Sequence, residues 1–205
     1  LLPSIPTRRS SDLCVAAIMS LYLQNTDKVA GFKKDLQQMA IPLRGPDVNA
    51  SGVYFRVEEI DEDGQDRAVR YALAAIKNVG EKAMRGVVEE RQENGPYKDL
   101  FDFVERMDPR LVNKRSLENL VQSGALDSLH ENRAEALANV EILLRHSQTT
   151  AQDKASSQES LFGDSPEGAG RPVLEVVKPW KQSAVLSHER GAVGFYISAH
   201  PLEAY

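Results

Sequence analysis

Cysteine is almost missing. Cys14 stands alone among 205 residues, so no internal disulfide can form. Histidine is also sparse, and its four copies are scattered without the short spacings of a metal site. No apolar run approaches the roughly eighteen residues that a membrane-crossing helix needs. The opening Leu1-Leu2-Pro3-Ser4-Ile5-Pro6-Thr7-Arg8-Arg9-Ser10 lacks the basic-then-apolar order of a secretory signal. These absences point to a reducing, cytoplasmic setting away from membranes. A cationic excess is missing too: the net charge of −5 excludes a generally basic nucleic-acid coat. Any DNA contact must therefore rest on local placement of Lys and Arg.

What is present suits a folded chain of one or two modest domains, with 41% hydrophobic and 27% charged residues. Residues 1–13 carry two prolines, an Arg pair and a Ser pair without periodicity, and read as a foreign tail. From Cys14 the pattern is helical: Val15, Ile18, Met19 and Tyr22 form one stripe, and Val29, Phe32, Leu36 and Met39 a second behind the cap Asn25-Thr26. Ile41-Pro42 stops it. Strands are expected at Gly52-Val53-Tyr54-Phe55-Arg56-Val57 and Ala68-Val69-Arg70-Tyr71-Ala72-Leu73, joined as a β-hairpin through Asp61-Glu62-Asp63-Gly64. Asp61 and Asp63 have a spacing that can hold metal, but a solvated turn explains them better.

From 74 to 146 helices alternate with tight turns. Asp99 and Asn113 are expected caps, and Gly124 a terminator. Leu137, Val140 and Leu144 give a further stripe. Residues 147–172 are rich in Ser, Gln, Ala, Gly, Asp and Glu and read as a flexible linker. Beyond it, Val173 to Val177 and Ala192 to Ile197 have strand character, and the ending after Tyr205 looks like a cut. The fold class is therefore mainly α with a small β-hairpin.

Two segments carry chemistry. Ala75-Ile76-Lys77-Asn78-Val79-Gly80-Glu81-Lys82-Ala83 has the pattern of a helix-hairpin-helix: an apolar residue, a short Asn/Gly turn, then a helix start. Turn amides beside the positive end of a helix dipole can hold a phosphate oxygen without reading a base. Glycine there permits close approach and left-handed φ, which Asn78 also tolerates. The candidate DNA-binding residues are Lys77, Asn78, Val79, Gly80, Lys82 and Arg85. Lys114 and Arg115, in Val112-Asn113-Lys114-Arg115-Ser116-Leu117, belong to a degenerate second copy ending at Val121-Gln122-Ser123-Gly124-Ala125-Leu126. The bland alternative is a bundle turn with solvated lysines. The other segment is Gln158-Glu159-Ser160-Leu161-Phe162 within the linker. An apolar pair and one amide on a flexible chain suit a partner's small apolar pocket, through Gln158, Ser160, Leu161 and Phe162. The alternative is that the pair folds back on its own domain.

Taken in order, several strings resemble the bacterial replicative DNA polymerase III alpha-subunit family: Asn25-Thr26-Asp27-Lys28-Val29, Pro46-Asp47-Val48-Asn49, Ala75 to Gly80, Val112 to Glu118, Ser123-Gly124-Ala125-Leu126-Asp127, and Gly194-Phe195-Tyr196-Ile197-Ser198-Ala199-His200-Pro201-Leu202. The resemblance covers about residues 14–205 and implies a C-terminal fragment of a longer polymerase. Residues 14–50 would end the fingers. Residues 51–146 would be a tandem helix-hairpin-helix region gripping duplex DNA, and 147–172 a linker with the sliding-clamp motif. Residues 173–205 would start a β segment leading to a missing OB-type domain. Other holoenzyme subunits are implied partners. No cofactor is implied for this stretch, and Mg2+ would lie in the parent palm, whose catalytic aspartates are absent here. Asn78 and Ala199 stand where the family commonly has glycine. An error-prone paralogue remains an alternative. So does a stand-alone helix-hairpin-helix repair protein, although Asp99, Asp102 and Asp108 look like cap and surface positions rather than a glycosylase's catalytic aspartate.

Overall fold

The computed structural model describes residues 8–60, 67–157 and 171–198. Helices dominate. α1 (Arg8–Leu21) packs on α2 (Thr26–Gln38) and against a small sheet of β1 (Leu43–Arg44), β2 (Arg56–Glu59) and β3 (Arg67–Arg70). A 3-10 turn at Leu73–Ala75 leads into α3 (Glu81–Asn94), α4 (Leu100–Arg106), α5 (Lys114–Ser123), α6 (Arg133–Ala138), α7 (Val140–Ser157) and α8 (Gln182–Val193).

The caps explain where these helices start. Asn25 accepts from the Lys28 amide at 3.0 Å, Asp99 from Asp102 at 2.8 Å and Asn113 from Ser116 at 2.9 Å. Each satisfies one of the amides that a first turn leaves without a partner. At the other end of α5, Gly124 adopts φ +82, the left-handed geometry that closes a helix without a Cβ penalty.

β3 is the central strand, parallel to β1 and antiparallel to β2 with Arg56 opposite Arg70. Arg70 reaches Glu58 with Nε at 2.9 Å and Nη2 at 2.8 Å, which offsets the cationic pair. One continuous core runs under all of this. Met19, Leu36, Leu73, Ile76, Met84, Phe103, Leu117, Leu120 and Leu143 are fully enclosed. Tyr71 packs edge-on to Phe55 at 5.0 Å, and burial pushes its hydroxyl well above the ordinary tyrosine range. Asn49 fastens the approach to α4, giving its Nδ2 to the Tyr97 carbonyl and taking the Tyr97 amide, both at 2.8 Å.

Several expectations need correction. Residues 8–13 are helical rather than tail, because Asp12 is buried and pairs with Arg67 at 3.7 Å. The first strand starts at Arg56, not Gly52, and the second ends at Arg70, not Leu73; β1 adds a third strand beside the hairpin. The turn at Asp61 to Gly64 lies outside the described residues. Residues 147–157 belong to α7 instead of a linker. Ser147 is buried, and Lys154 Nζ donates to the Glu105 carbonyl at 3.0 Å, holding the helix on α4.

The two strands expected after Arg171 do not form. Residues 173–177 form no regular element, and side-chain amides bond their backbone where a partner strand would. Asn139 Nδ2 donates to the Glu175 carbonyl at 2.9 Å and Asn139 Oδ1 accepts its amide at 2.8 Å. Asn132 Nδ2 donates to the Val177 carbonyl at 2.6 Å. Ala192 and Val193 end α8, whose buried Leu186, Glu189 and Val193 follow helical spacing.

Candidate nucleic-acid interface

The turn after Ile76 is built from inside. Val79 is buried, and its N–H points inward to the Ile76 carbonyl at 3.3 Å. The Lys77 N–H donates to the Ala192 carbonyl at 2.9 Å, fixing the turn against the end of α8. Val79 therefore anchors the bend and offers no donor of its own. Asn78 takes the left-handed conformation at φ +59. The conformational freedom expected of the turn glycine is thus used by asparagine. Gly80 is instead the N-cap of α3 in an ordinary extended conformation, φ −77 and ψ 135.

What Gly80 supplies is space. A Cβ placed there would meet nothing within 4 Å. No side chain caps α3, and among the described residues no protein acceptor takes the N–H groups of Gly80, Glu81, Lys82 or Ala83. Gly80, Glu81 and Lys82 are exposed. An uncapped helix start with open access and free donors favours an anion.

A second helix start lies against the first. Ser116, buried in the first turn of α5, donates its hydroxyl to the Asn78 carbonyl at 2.8 Å. That bond, between residues 38 apart in sequence, joins the hairpin turn to the segment carrying Lys114 and Arg115, so the two motifs meet in space. Sequence reasoning missed Ser116, although its place three residues after the Asn113 cap marks it as a first-turn residue.

The cations differ in how free they are. Lys77, Lys82 and Arg115 are exposed, and no carboxylate lies within ion-pairing distance of them among the described residues. Lys114 pairs with Glu141, which holds its ammonium pKa up and the Glu141 carboxyl down. Arg85 is engaged as well. Its Nη2 donates to Glu81 at 2.9 Å and to the Tyr54 hydroxyl at 3.2 Å, and the Tyr54 hydroxyl donates to Glu81 at 2.6 Å. The hydrogen bond from Tyr54, and then that from Arg85, hold the Glu81 carboxyl below the usual carboxylate range. Tyr54 lies 27 residues upstream, and nothing in the sequence marks it.

The remaining acidic candidates have structural partners. Asp99 caps α4 and also meets Arg171 at 2.9 Å, while Asp102 pairs with Arg106 at 3.1 Å. Burial pushes the Asp99 carboxyl up, but the Asp102 amide and Arg171 outweigh it and leave the pKa lowered. Asp108 accepts from the Arg110 amide at 2.9 Å. None is poised as a glycosylase nucleophile or base. Among the described residues no group of three or more His, Cys, Asp or Glu side chains is placed to hold a metal ion. No described helix is long and apolar enough to cross a membrane. Gln158, Ser160, Leu161 and Phe162 lie outside the described residues.

Comparison with known proteins bears on this geometry. Residues 40–136 match the family model described as a helix-hairpin-helix motif, a span that holds both helix starts. The chain is 50% identical over 92% of its length to DNA polymerase III subunit alpha of Caulobacter vibrioides, covering 16% of that protein. It is 39% identical over 93% of its length to the Thermus aquaticus subunit, covering 15% of it. For the Vibrio cholerae subunit the identity is 37% over 93% of the chain and 16% of the relative. The chain thus spans about a sixth of the length of these relatives.

Proposed function

The chain belongs to the DNA polymerase III alpha-subunit family, and from that premise we propose that the Asn78–Gly80 turn and the start of α5 grip duplex DNA by its backbone. The observation that carries this reading is the Ser116–Asn78 hydrogen bond, which makes one surface of two helix starts. Free amides at Gly80 to Ala83 would take a phosphate oxygen, while Lys77, Lys82 and Arg115 lie on the same two segments with uncompensated charge. The main-chain amides bind phosphate oxygens and carry no pattern that matches a base edge. The grip is therefore independent of sequence.

The whole protein of which this is a segment would be a DNA-directed DNA polymerase, joining deoxynucleotides to a primer 3′ end. Its catalytic metal chemistry would be supplied elsewhere in that protein. This segment would hold the product duplex. A second task is attachment to the sliding clamp through Gln158, Ser160, Leu161 and Phe162, supported by the pattern of an apolar pair and an amide within a polar stretch. An error-prone member of the family would share the same grip.

Fluorescence anisotropy of a labelled duplex against the full chain, across a salt series, tests the grip. Neutralising three to four phosphates gives a log–log slope of about −3. Replacing Lys77, Lys82 and Arg115 together with Ala should remove most of that slope. Binding that is absent, or that ignores salt, in a folded sample refutes the reading.

A further inference from the structure

Tyr54, Glu81 and Arg85 form a closed set of contacts directly on the proposed phosphate-binding turn. Glu81 is the first residue of α3, where the free amides and the helix dipole favour negative charge. Its Oε1 receives the Tyr54 hydroxyl at 2.6 Å and Arg85 Nη2 at 2.9 Å. The side chains of Arg85 and Glu81 are 51% and 47% exposed, and Tyr54 is 40% exposed. Solvent-exposed ion pairs of this kind add little to folding. The contact also exceeds an ordinary i,i+4 helix pair, because a tyrosine from the loop before β2 binds both partners. Beside it, Tyr54 and Glu81 line an open cleft of about 440 Å3 with Ser20 to Asn25, which gives the carboxylate room to move.

We infer that Glu81 limits the affinity of the DNA grip: its carboxylate is an internal anion on the turn that keeps Arg85 occupied, and a DNA phosphate must displace it to recruit that guanidinium. This rests on the duplex-binding reading above. The chemistry is an exchange of one oxyanion for another. Arg85 leaves a carboxylate for a phosphate, and Glu81 swings toward the cleft. Each binding event then breaks an internal pair as it forms an external one. The grip stays weak and exchangeable, as a contact that ignores sequence and must shift along the duplex requires.

Glu81→Gln keeps the size and the ability to accept from Tyr54 while removing the charge. In the full chain, E81Q should bind a labelled duplex about three- to tenfold more tightly at low salt, with the log–log slope steeper by about one. Arg85→Gln in the wild-type background should change the slope little, and E81Q/R85Q should lose the whole gain. Glu93, exposed near the far end of α3, provides the charge-matched control E93Q. Thermal melts confirm that each variant is folded. The inference is overturned if E81Q binds no better than wild type, if E81Q/R85Q keeps the gain, or if E93Q produces the same gain. Wild-type protein that shows no salt-dependent binding takes down the DNA reading and this inference together. Wild-type binding with an unresponsive E81Q takes down this inference alone.

Discussion

Gly80→Ala separates a glycine needed by the fold from one needed by a partner. At Gly124 a Cβ would come within 2.2 Å of Arg133 Nη2, and at Gly194 within 1.9 Å of Thr26 Cγ2, both at positive φ. Gly80 differs on both counts. Its φ of −77 and ψ of 135 suit any residue, and the added methyl meets nothing within 4 Å. Alanine is a poorer N-cap than glycine by about 0.5–1 kcal/mol. Against this, the reduced freedom of the unfolded chain returns about 0.4–1 kcal/mol. Stability should therefore stay within about 0.5 kcal/mol of wild type.

The effect on DNA should be larger. The methyl would occupy the open space at the start of α3, through which a phosphate oxygen has to approach the free amides. Hydrogen bonds to a charged group contribute about 1.5–3 kcal/mol each. Losing one reaches at least about tenfold in affinity, since 1.4 kcal/mol is a factor of ten. Anisotropy titration of a labelled duplex, paired with a thermal melt of the same sample, reads both quantities. An unchanged melt with weakened binding is expected. Wild-type affinity in G80A would refute the claim that a ligand approaches this space.

Two other variants probe the remaining parts of the account. Ser116→Ala removes the hydroxyl that joins the two helix starts; it should cost about 1 kcal/mol in chemical denaturation and weaken duplex binding, though every proposed DNA contact is still present. Leu161→Ala with Phe162→Ala should abolish association with the purified sliding clamp in surface plasmon resonance while leaving duplex affinity as in wild type, and undiminished clamp binding would show that the pair is inert.

The helix starts were legible because capping is local chemistry. Asn25, Asp99 and Asn113 each need only an amide three residues on, and the structure forms all three bonds. Gly124 as a terminator is equally local. The candidate site was half legible. The turn and the cations could be read, but not that Asn78 rather than Gly80 takes the left-handed conformation, nor that Arg85 is held by a tyrosine 31 residues upstream. Such partners depend on tertiary proximity.

The failures after Arg171 have the same origin. Valine-rich 173–177 has strand composition, yet its backbone bonds go to the side chains of Asn132 and Asn139. No local pattern announces a side-chain amide acting as a strand. Residues 147–157 looked like linker because they are polar all round, whereas contacts with α4 keep them helical. β1 is only two residues long, and its pairing with β3 is non-local.

Backbone amide NMR of the 15N-labelled full chain, titrated with a short duplex, addresses the paired helix starts most directly. The account predicts that the resonances of Gly80, Glu81, Lys82, Lys114 and Arg115 shift together, with one shared saturation curve and reversal by added salt. Shifts confined to other surfaces, with these five resonances unmoved at saturation, would contradict it.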